Sequence, residues 1–418
     1  MITVSILGVG ARGGEAYGRS INALTDKFDI VSLCDKSTVR LDKYGKIFNV
    51  PKNDRFTDEQ VFFEKKRSDL LIVSTLDKDH FRHAKKAIEL GYNVMVEKPV
   101  SDNEWELNEL LRLSKEKGVG IFVCHVLRYT PMMLKIKEIL DSGVIGKLIH
   151  IDQTEHVGFW HMAHSYVRGN WRNTNDSSFM LMAKCCHDLD LLQYFADSKC
   201  EKLSSFGALN YFKPEYKPEG SADRCCDCKY INDCPYSAKR VYVDRWKETG
   251  KPENCWPFNT ITDAEIQTEE NLTYSIENGP YGRCVFACDN NVVDNQIVNM
   301  QFVNGITASL KMIAFVKDGG RNVRFYGTKG EIVLLEDKDT IEVKLFFGEN
   351  KIYKLSDITP DMSGHSGGDI GMINKMYEVF ASKNQTMETS LERSVYSHLM
   401  AITAEQSRLQ GGKLIEMK

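Results

Sequence analysis

Glu97 and Lys98 close the apolar run NVMV, and Pro99 follows them directly. A lysine at such a place can take or return a proton when a hydride leaves or joins a carbon that bears a hydroxyl. Its amine begins with a pKa of about 10.4, and burial beside a cationic ring would disfavour the charged form. A second proton-handling group stands far away in the chain, at His187 in FMLMAKCCHDLDLLQYFA. Its imidazole begins at about 6.5 and needs less adjustment. The i, i+3, i+4 spacing puts Lys184, His187, Asp188 and Leu191 on one face of a helix. Lys184 would keep His187 neutral, whereas Asp188 or Asp190 would favour its charged form, so the resting state is open. Each residue also has a plainer reading, His187 as a buried, hydrogen-bonded histidine and Lys184 as a solvated lysine.

Gly8, Gly10 and Gly13 spell G-x-G-x-x-G between a short strand and a helix. The first glycine allows a tight turn, the second lets a pyrophosphate approach the backbone, and the third lets helix and sheet pack closely. The phosphates would rest on the free N–H groups of the helix N-terminus. Asp35 ends the next strand 22 residues beyond Gly13, where a carboxylate accepts from a ribose 2′-hydroxyl and repels a 2′-phosphate. NAD is favoured on that ground, and Lys36 and Arg40 leave NADP open. Thr75 ends the run LLIVST and falls on the same edge as Lys98, because ligands of doubly wound sheets gather at the carboxyl ends of the strands.

EHVGFWHMAHSYVRGNWRN, residues 155 to 173, concentrates histidines, aromatics and arginines in what reads as a loop. Sugars are held by such polar groups and by stacking on rings, which makes His164, Arg168 and Trp171 candidate substrate contacts; a loop that packs its own aromatics is the alternative. RCCDCKYINDCP carries Cys225, Cys228 and Cys234, three soft ligands on one loop suited to a structural zinc. The fourth ligand would be Cys255, Cys284 or Cys288, because Cys226 is awkward beside Cys225. An iron-sulfur cluster or free thiols are the other readings.

These groups need elements to position them. Residues 1 to 126 alternate β-branched runs (TVSILG, DIVSLCD, DLLIVST, NVMVE, GIFVCHV) with helical stretches at 79–89 and 103–116, which predicts an α/β, doubly wound parallel sheet. Residues 127 to 418 predict an α+β domain on a largely antiparallel open sheet. Its signals are helices at 131–141 and 179–196, a hairpin at Asn304-Gly305, a second hairpin in IVLLEDKDTIEVKLFF, and a cysteine-rich loop near 223–236. Helices near 369–382 and 390–409 are expected only to pack. The 54 basic and 58 acidic residues nearly balance, so no general field for nucleic acid or anionic membrane exists. No apolar run approaches the roughly 20 residues that cross a bilayer. MITVSILGVGARGG reads as a first strand and not a signal peptide, so the protein is expected in the cytoplasm, with its 12 cysteines mostly reduced or bound to metal.

Together GVGARG, TLDKDH at 75–80, EKPVS, HVLRYTP at 125–131 and the helix bearing CHDLD resemble the Gfo/Idh/MocA family of NAD(P)-dependent oxidoreductases acting on sugars and cyclitols. The resemblance runs through nearly the whole chain. It implies a Rossmann domain followed by an α/β domain whose open sheet serves homo-oligomers, here a dimer or tetramer. It further implies that Arg12, Thr75, Leu76, His80, Glu97 and Lys98 line the cofactor, that Arg128 and Tyr129 lie toward the substrate, and that the EKP lysine faces a histidine on the later helix. Many relatives carry an aspartate four residues before that histidine. Here the position is Ala183, and Lys184 is the nearest polar replacement. The small-molecule partner is then a sugar, glycoside or cyclitol. Two further readings stand beside this one: a redox-assisted glycosidase that works through a transient keto-sugar, and a non-catalytic NAD-binding regulator.

Overall fold

A computed structural model describes residues 1–253, 255–262, 264, 266–359, 366–381 and 391–417. Six parallel strands form the first sheet: β1 (Ile2–Leu7), β2 (Phe28–Cys34), β3 (Arg55–Phe56), β4 (Leu70–Val73), β5 (Asn93–Val96) and β6 (Ile121–Val123). Their order is β3-β2-β1-β4-β5-β6. Every residue of β4 and β6 is buried, as expected of apolar runs covered by helices on both faces. The winding reverses after β3, which opens a crevice between the carboxyl ends of β1 and β4. The two-residue β3 is too short to show any periodicity and had no signal in the sequence.

The helices between these strands follow local rules. Glu104–Lys117 starts because the Asn103 side chain accepts from Trp105 N at 2.9 Å, and it stops where Gly118 adopts φ 64°. Its Leu107, Leu110 and Leu113 are buried against the sheet, each worth about 1.5–3 kcal/mol.

The second sheet has nine strands: β7 (Leu148–Gly158), β8 (Cys200–Ala208), β9 (Asn295–Phe302), β10 (Thr307–Val316), β11 (Gly320–Gly327), β12 (Gly330–Leu335), β13 (Thr340–Leu345), β14 (Lys351–Lys354) and β15 (Ile415–Glu416). The order is β14-β13-β12-β11-β7-β10-β9-β8-β15. β7 and β10 pair in parallel and the other neighbours are antiparallel. The β9–β10 hairpin turns at Asn304-Gly305, with Gly305 at φ 87°. One core runs from Val4 and Ile6 through Leu127 and Ile136 to Leu310 and Phe325, so the two halves share buried side chains. No helix among the described residues is long and apolar enough to cross a membrane.

Three elements differ from their sequence expectation. The helix expected over 179–196 is two pieces, Met180–Ala183 and Cys186–Ala196; at the break between them Lys184 pairs with Glu155 and Cys185 leaves helical geometry at φ −94°, ψ 9°. The aromatic stretch is not a loop: β7 runs to Gly158, then Phe159–His161 continues into the wide π-helical turns of Met162–Arg168. The last helices span Gly368–Ala381 and Leu391–Leu409, and the expected end at 382 and start at 390 lie outside the described residues. They do more than pack, since Asp369 and His398 buttress the crevice.

Candidate active site

The glycine loop fits a dinucleotide. Gly8 sits at φ 90°, and a Cβ there would fall 2.6 Å from the Ser74 carbonyl oxygen; at Gly13 it would fall 2.0 Å from that of Gly8. Gly10 instead faces open space, its nearest neighbour being Arg40 Nη1 at 3.9 Å, which is the room a pyrophosphate needs. Asp35 holds this loop from the tip of β2, accepting from Val9 N and Ser37 N at 2.8 Å each. Arg40 Nη1 stands 3.9 Å from the same carboxylate.

Arg12 and Glu97 are committed to each other. Arg12 Nε donates to Glu97 at 2.8 Å and its Nη2 to Asp369 at 2.8 Å, while its guanidinium lies over Tyr17. Tyr17 also donates to Glu97. Burial works against the Glu97 carboxylate, yet Arg12 and Lys98 outweigh it and hold the pKa below the ordinary range. This ionised strut fixes the backbone just before Lys98. His80 fixes the backbone just after it, its ring spanning the carbonyls of Pro99 at 2.7 Å and Thr75 at 3.1 Å. From the last helix, His398 Nδ1 donates to Ser394 O at 2.6 Å, which leaves Nε2 to accept from Val100 N at 3.0 Å. Thr75 meets His83 through its hydroxyl at 3.0 Å, and Leu76 is 60% exposed.

Held on three sides, Lys98 reaches across the crevice and its Nζ donates to the Ala183 carbonyl at 3.1 Å. That carbonyl lies at the break in the later helix, four residues before His187, which is 9% exposed. Lys184 Nζ pairs with Glu155 at 3.0 Å. Arg321 joins Glu155 at 2.9 Å and Asp188 at 2.8 Å, and Gln153 donates to Asp188 at 2.5 Å. Asp190 is likewise held by Arg128, at 2.5 and 2.6 Å. Both aspartates that could have charged His187 are therefore engaged by arginines.

The expected substrate contacts separate in space. Trp171 Nε1 donates to Asp77 at 2.9 Å and so meets the loop after β4 at the nucleotide edge. Arg128 and Tyr129 are buried one layer below His187: Asp190 lies 3.7 Å from His125, whose ring centre is 6.1 Å from that of His187. Tyr129 stacks on Phe122. His164 is held by Tyr242 at 2.9 Å and Thr260 at 3.2 Å, and Arg168 points into the cysteine-rich region. His161 carries no expectation from sequence, yet it feels the charges of both Lys98 and Lys184. Burial comes first among the causes that push its pKa well down, and its ring packs on Trp256 at 4.8 Å. A histidine in a stretch with two others, His156 and His164, gives no sign of which one faces the crevice.

The description "Oxidoreductase family, NAD-binding Rossmann fold" matches residues 2–125, and "Oxidoreductase family, C-terminal alpha/beta domain" matches residues 137–414. The chain belongs to the Gfo/Idh/MocA family. Among its relatives, the oxidoreductase YteT of Bacillus subtilis is 24% identical over 87% of this chain and 86% of its own length. Oxidoreductase P35 of Formosa agariphila is 33% identical over 57% of this chain and 68% of its own. A levoglucosan dehydrogenase in complex with NADH and levoglucosan shares the fold at a TM-score of 0.72 and 13% identity, with 100% of this chain and 99% of the other covered. The protein is thus an NAD-binding oxidoreductase.

Buried histidines give this Gfo/Idh/MocA chain an acid limit. Burial lowers the pKa of His125 to about 4, with Arg128 and Lys98 adding to the effect, and lowers His164 and His398 to about 3 each. Unfolded, each would titrate at about 6.5, so below that pH the unfolded state binds more protons and stability falls as pH falls. Each histidine removes about 3 kcal/mol by pH of about 4. Urea midpoints measured across that window are expected to drop steeply, and a flat profile would mean that the imidazoles are hydrated.

The zinc expectation is not supported. Among the described residues no three His, Cys, Asp or Glu side chains stand close enough to share one metal ion. Cys225, Cys228 and Cys234 instead line a cavity together with Cys284. Cys288 keeps its thiol on the Cys284 carbonyl and Cys255 is exposed.

Proposed function

We propose that the protein transfers a hydride between NAD and a secondary alcohol or ketone of a sugar, glycoside or cyclitol, with Lys98 and His187 handling the hydroxyl proton. One contact carries this assignment: Lys98 Nζ, from the carboxyl end of β5, lies 3.1 Å from the Ala183 carbonyl at the helix break that leads to His187. A lysine from one half of the fold and a histidine segment from the other, divided at about residue 126, thus flank one crevice. NAD supplies the hydride acceptor when bound. Gly10 admits its pyrophosphate, Asp35 takes the ribose hydroxyls, and Thr75 and Leu76 line the edge beside it. Lys98 exchanges the substrate proton while Glu97, Arg12 and His80 hold its backbone. Lys184 on Glu155, together with His161 and Trp171, walls the place where the substrate's polar groups would lie. The neighbour that binds NADH and levoglucosan supports a carbohydrate of similar size.

The test follows the near-ultraviolet absorbance of reduced nicotinamide while the protein and NAD meet a panel of sugars, glycosides and cyclitols. Accumulating reduced cofactor is the expected result. Free sugar released from a glycoside at constant absorbance would replace net oxidation by a transient one, and binding without turnover on the whole panel would leave a regulator. Asp35→Ser is expected to shift the KM ratio toward NADP about tenfold or more, because Arg40 and Lys36 stay in place to meet a 2′-phosphate. An unchanged ratio would remove Asp35 from cofactor selection. Phe206, Ile297 and Phe315 are exposed on the outer face of the second sheet, and we place the contact between copies there; a chain that elutes as a monomer at all concentrations would refute it.

A further inference from the structure

The second sheet does not need residues 209–294. Its strands β8 and β9 are antiparallel neighbours, which a turn of a few residues can join, yet this whole stretch lies between Ala208 and Asn295. Insertions at such connections leave the scaffold intact and are where binding residues collect. Part of the stretch folds around a small core of its own, in which Val241, Tyr242, Trp246, Phe258, Leu272 and Ile276 are buried. Trp160, from the segment that follows β7, packs against that core, so the inserted unit leans on the wall of the crevice.

Trp256 is the side chain that this unit presents there. Its ring centre lies 4.8 Å from that of His161, 5.1 Å from Trp160 and 5.4 Å from His164. His161 is the histidine on which the charges of Lys98 and Lys184 both act, so Trp256 stands one ring further out along the same wall. Despite three ring neighbours the indole is 40% exposed, although tryptophans are highly buried on average. Its backbone is fixed on both sides. Trp246 Nε1 donates to Pro252 O at 3.2 Å, Asn259 N donates to Cys255 O at 3.0 Å, and the Thr260 hydroxyl donates to Pro257 O at 2.6 Å. The same hydroxyl meets His164 Nε2 at 3.2 Å, and Tyr242 holds the other ring nitrogen at 2.9 Å. His164 thus clamps the segment that carries Trp256. We propose that Trp256 is the platform for a second sugar ring, and that the substrate is a disaccharide or longer glycoside whose terminal unit lies beside Lys98. The proposal rests on the hydride-transfer reading only for what happens to that first unit. A pyranose has an apolar C–H face that stacks on an indole while its hydroxyl edge stays in water. An indole already held in place gives this contact at little cost in conformational entropy. A cyclitol or free monosaccharide would fill the place beside the two lysines and leave Trp256 uncovered.

The test titrates the full chain, saturated with NAD, in a calorimeter with cellobiose, maltose, lactose and xylobiose and with glucose, galactose and xylose. At least one disaccharide is expected to bind about tenfold tighter than its terminal monosaccharide. Trp256→Ala should lower the affinity for that disaccharide about tenfold and for the monosaccharide far less, and Trp256→Phe should restore part of the loss. Calorimetry reads binding without turnover, so a chain that shows this pattern and reduces no NAD would sink the hydride assignment and keep the second-ring site. Should Trp256→Ala fail to fold, acrylamide quenching of the wild-type tryptophan fluorescence replaces it: the disaccharide is expected to shield the exposed indole and the monosaccharide to leave it open. No disaccharide preferred over its monosaccharide, equal losses for both in Trp256→Ala, or equal quenching with both sugars would each overturn the proposal.

Discussion

Replacing Lys98 with methionine is expected to lower kcat about 10²–10⁴-fold while nucleotide affinity changes far less. Methionine keeps most of the apolar stem, and the backbone around position 98 is held by others: Glu97 by Arg12 and Tyr17, Pro99 by His80, Val100 by His398. The side chain removed makes one polar contact, to the Ala183 carbonyl, so the fold has little to lose. What disappears is a group able to exchange a proton at the reacting oxygen. Lys98→Arg separates this role from simple charge, because a guanidinium carries the charge and the donors but does not release a proton. It should be nearly as inactive as the methionine variant, and both should lose the limb of the pH–rate profile that belongs to the lysine. Near-wild-type kcat in Lys98→Arg would make electrostatic orientation the role of this residue and pass the proton to His187.

Arg321→Met should cost about 3–5 kcal/mol of stability, read from urea unfolding. Arg321 is the cation shared by Glu155 and Asp188, all three of them buried. Burial raises the Asp188 pKa in spite of Arg321, which shows how unfavourable the carboxylate would be without its partner. Once the arginine is gone, Asp188 must take up a proton or remain an uncompensated charge, and Glu155 keeps only Lys184. The paired change Arg321→Met with Asp188→Leu should recover part of the loss, since removing both members of a buried pair is far cheaper than removing one. A single-variant loss below about 1 kcal/mol would mean that water reaches the network. The same variant should raise KM, because Glu155 and Lys184 wall the proposed substrate place.

Several parts of this site were legible because local rules carry them. Gly8 and Gly13 need to be glycine for contacts with neighbouring backbone, and EKP follows a strand whose burial is written in its apolar run. Asp35 could be placed from its distance past the glycines. The broken helix was not legible: FMLMAKCCHDLDLL reads as one amphipathic helix, and the partner that Lys184 takes at the break is Glu155, a residue of β7 some 30 positions away. Arg168 looked like a sugar contact because arginine types cannot show direction, and it is the packing against Tyr236 and Arg283 that turns it to the cysteines. The final helices gave no chemical signal because the crevice residues that Asp369 and His398 hold, Arg12 and Val100, precede them by hundreds of positions.

The sequence by itself determined the doubly wound half, the nucleotide loop, the lysine at the sheet edge and the family, since each depends on spacing within a strand, a turn or a helix. Only the tertiary structure decided which charges face one another. It paired Asp188 and Asp190 with arginines, brought His161 beside the two lysines and gathered Cys284 to the cysteine loop. Electrostatic partnership depends on distances across the core, and a linear pattern does not encode those distances.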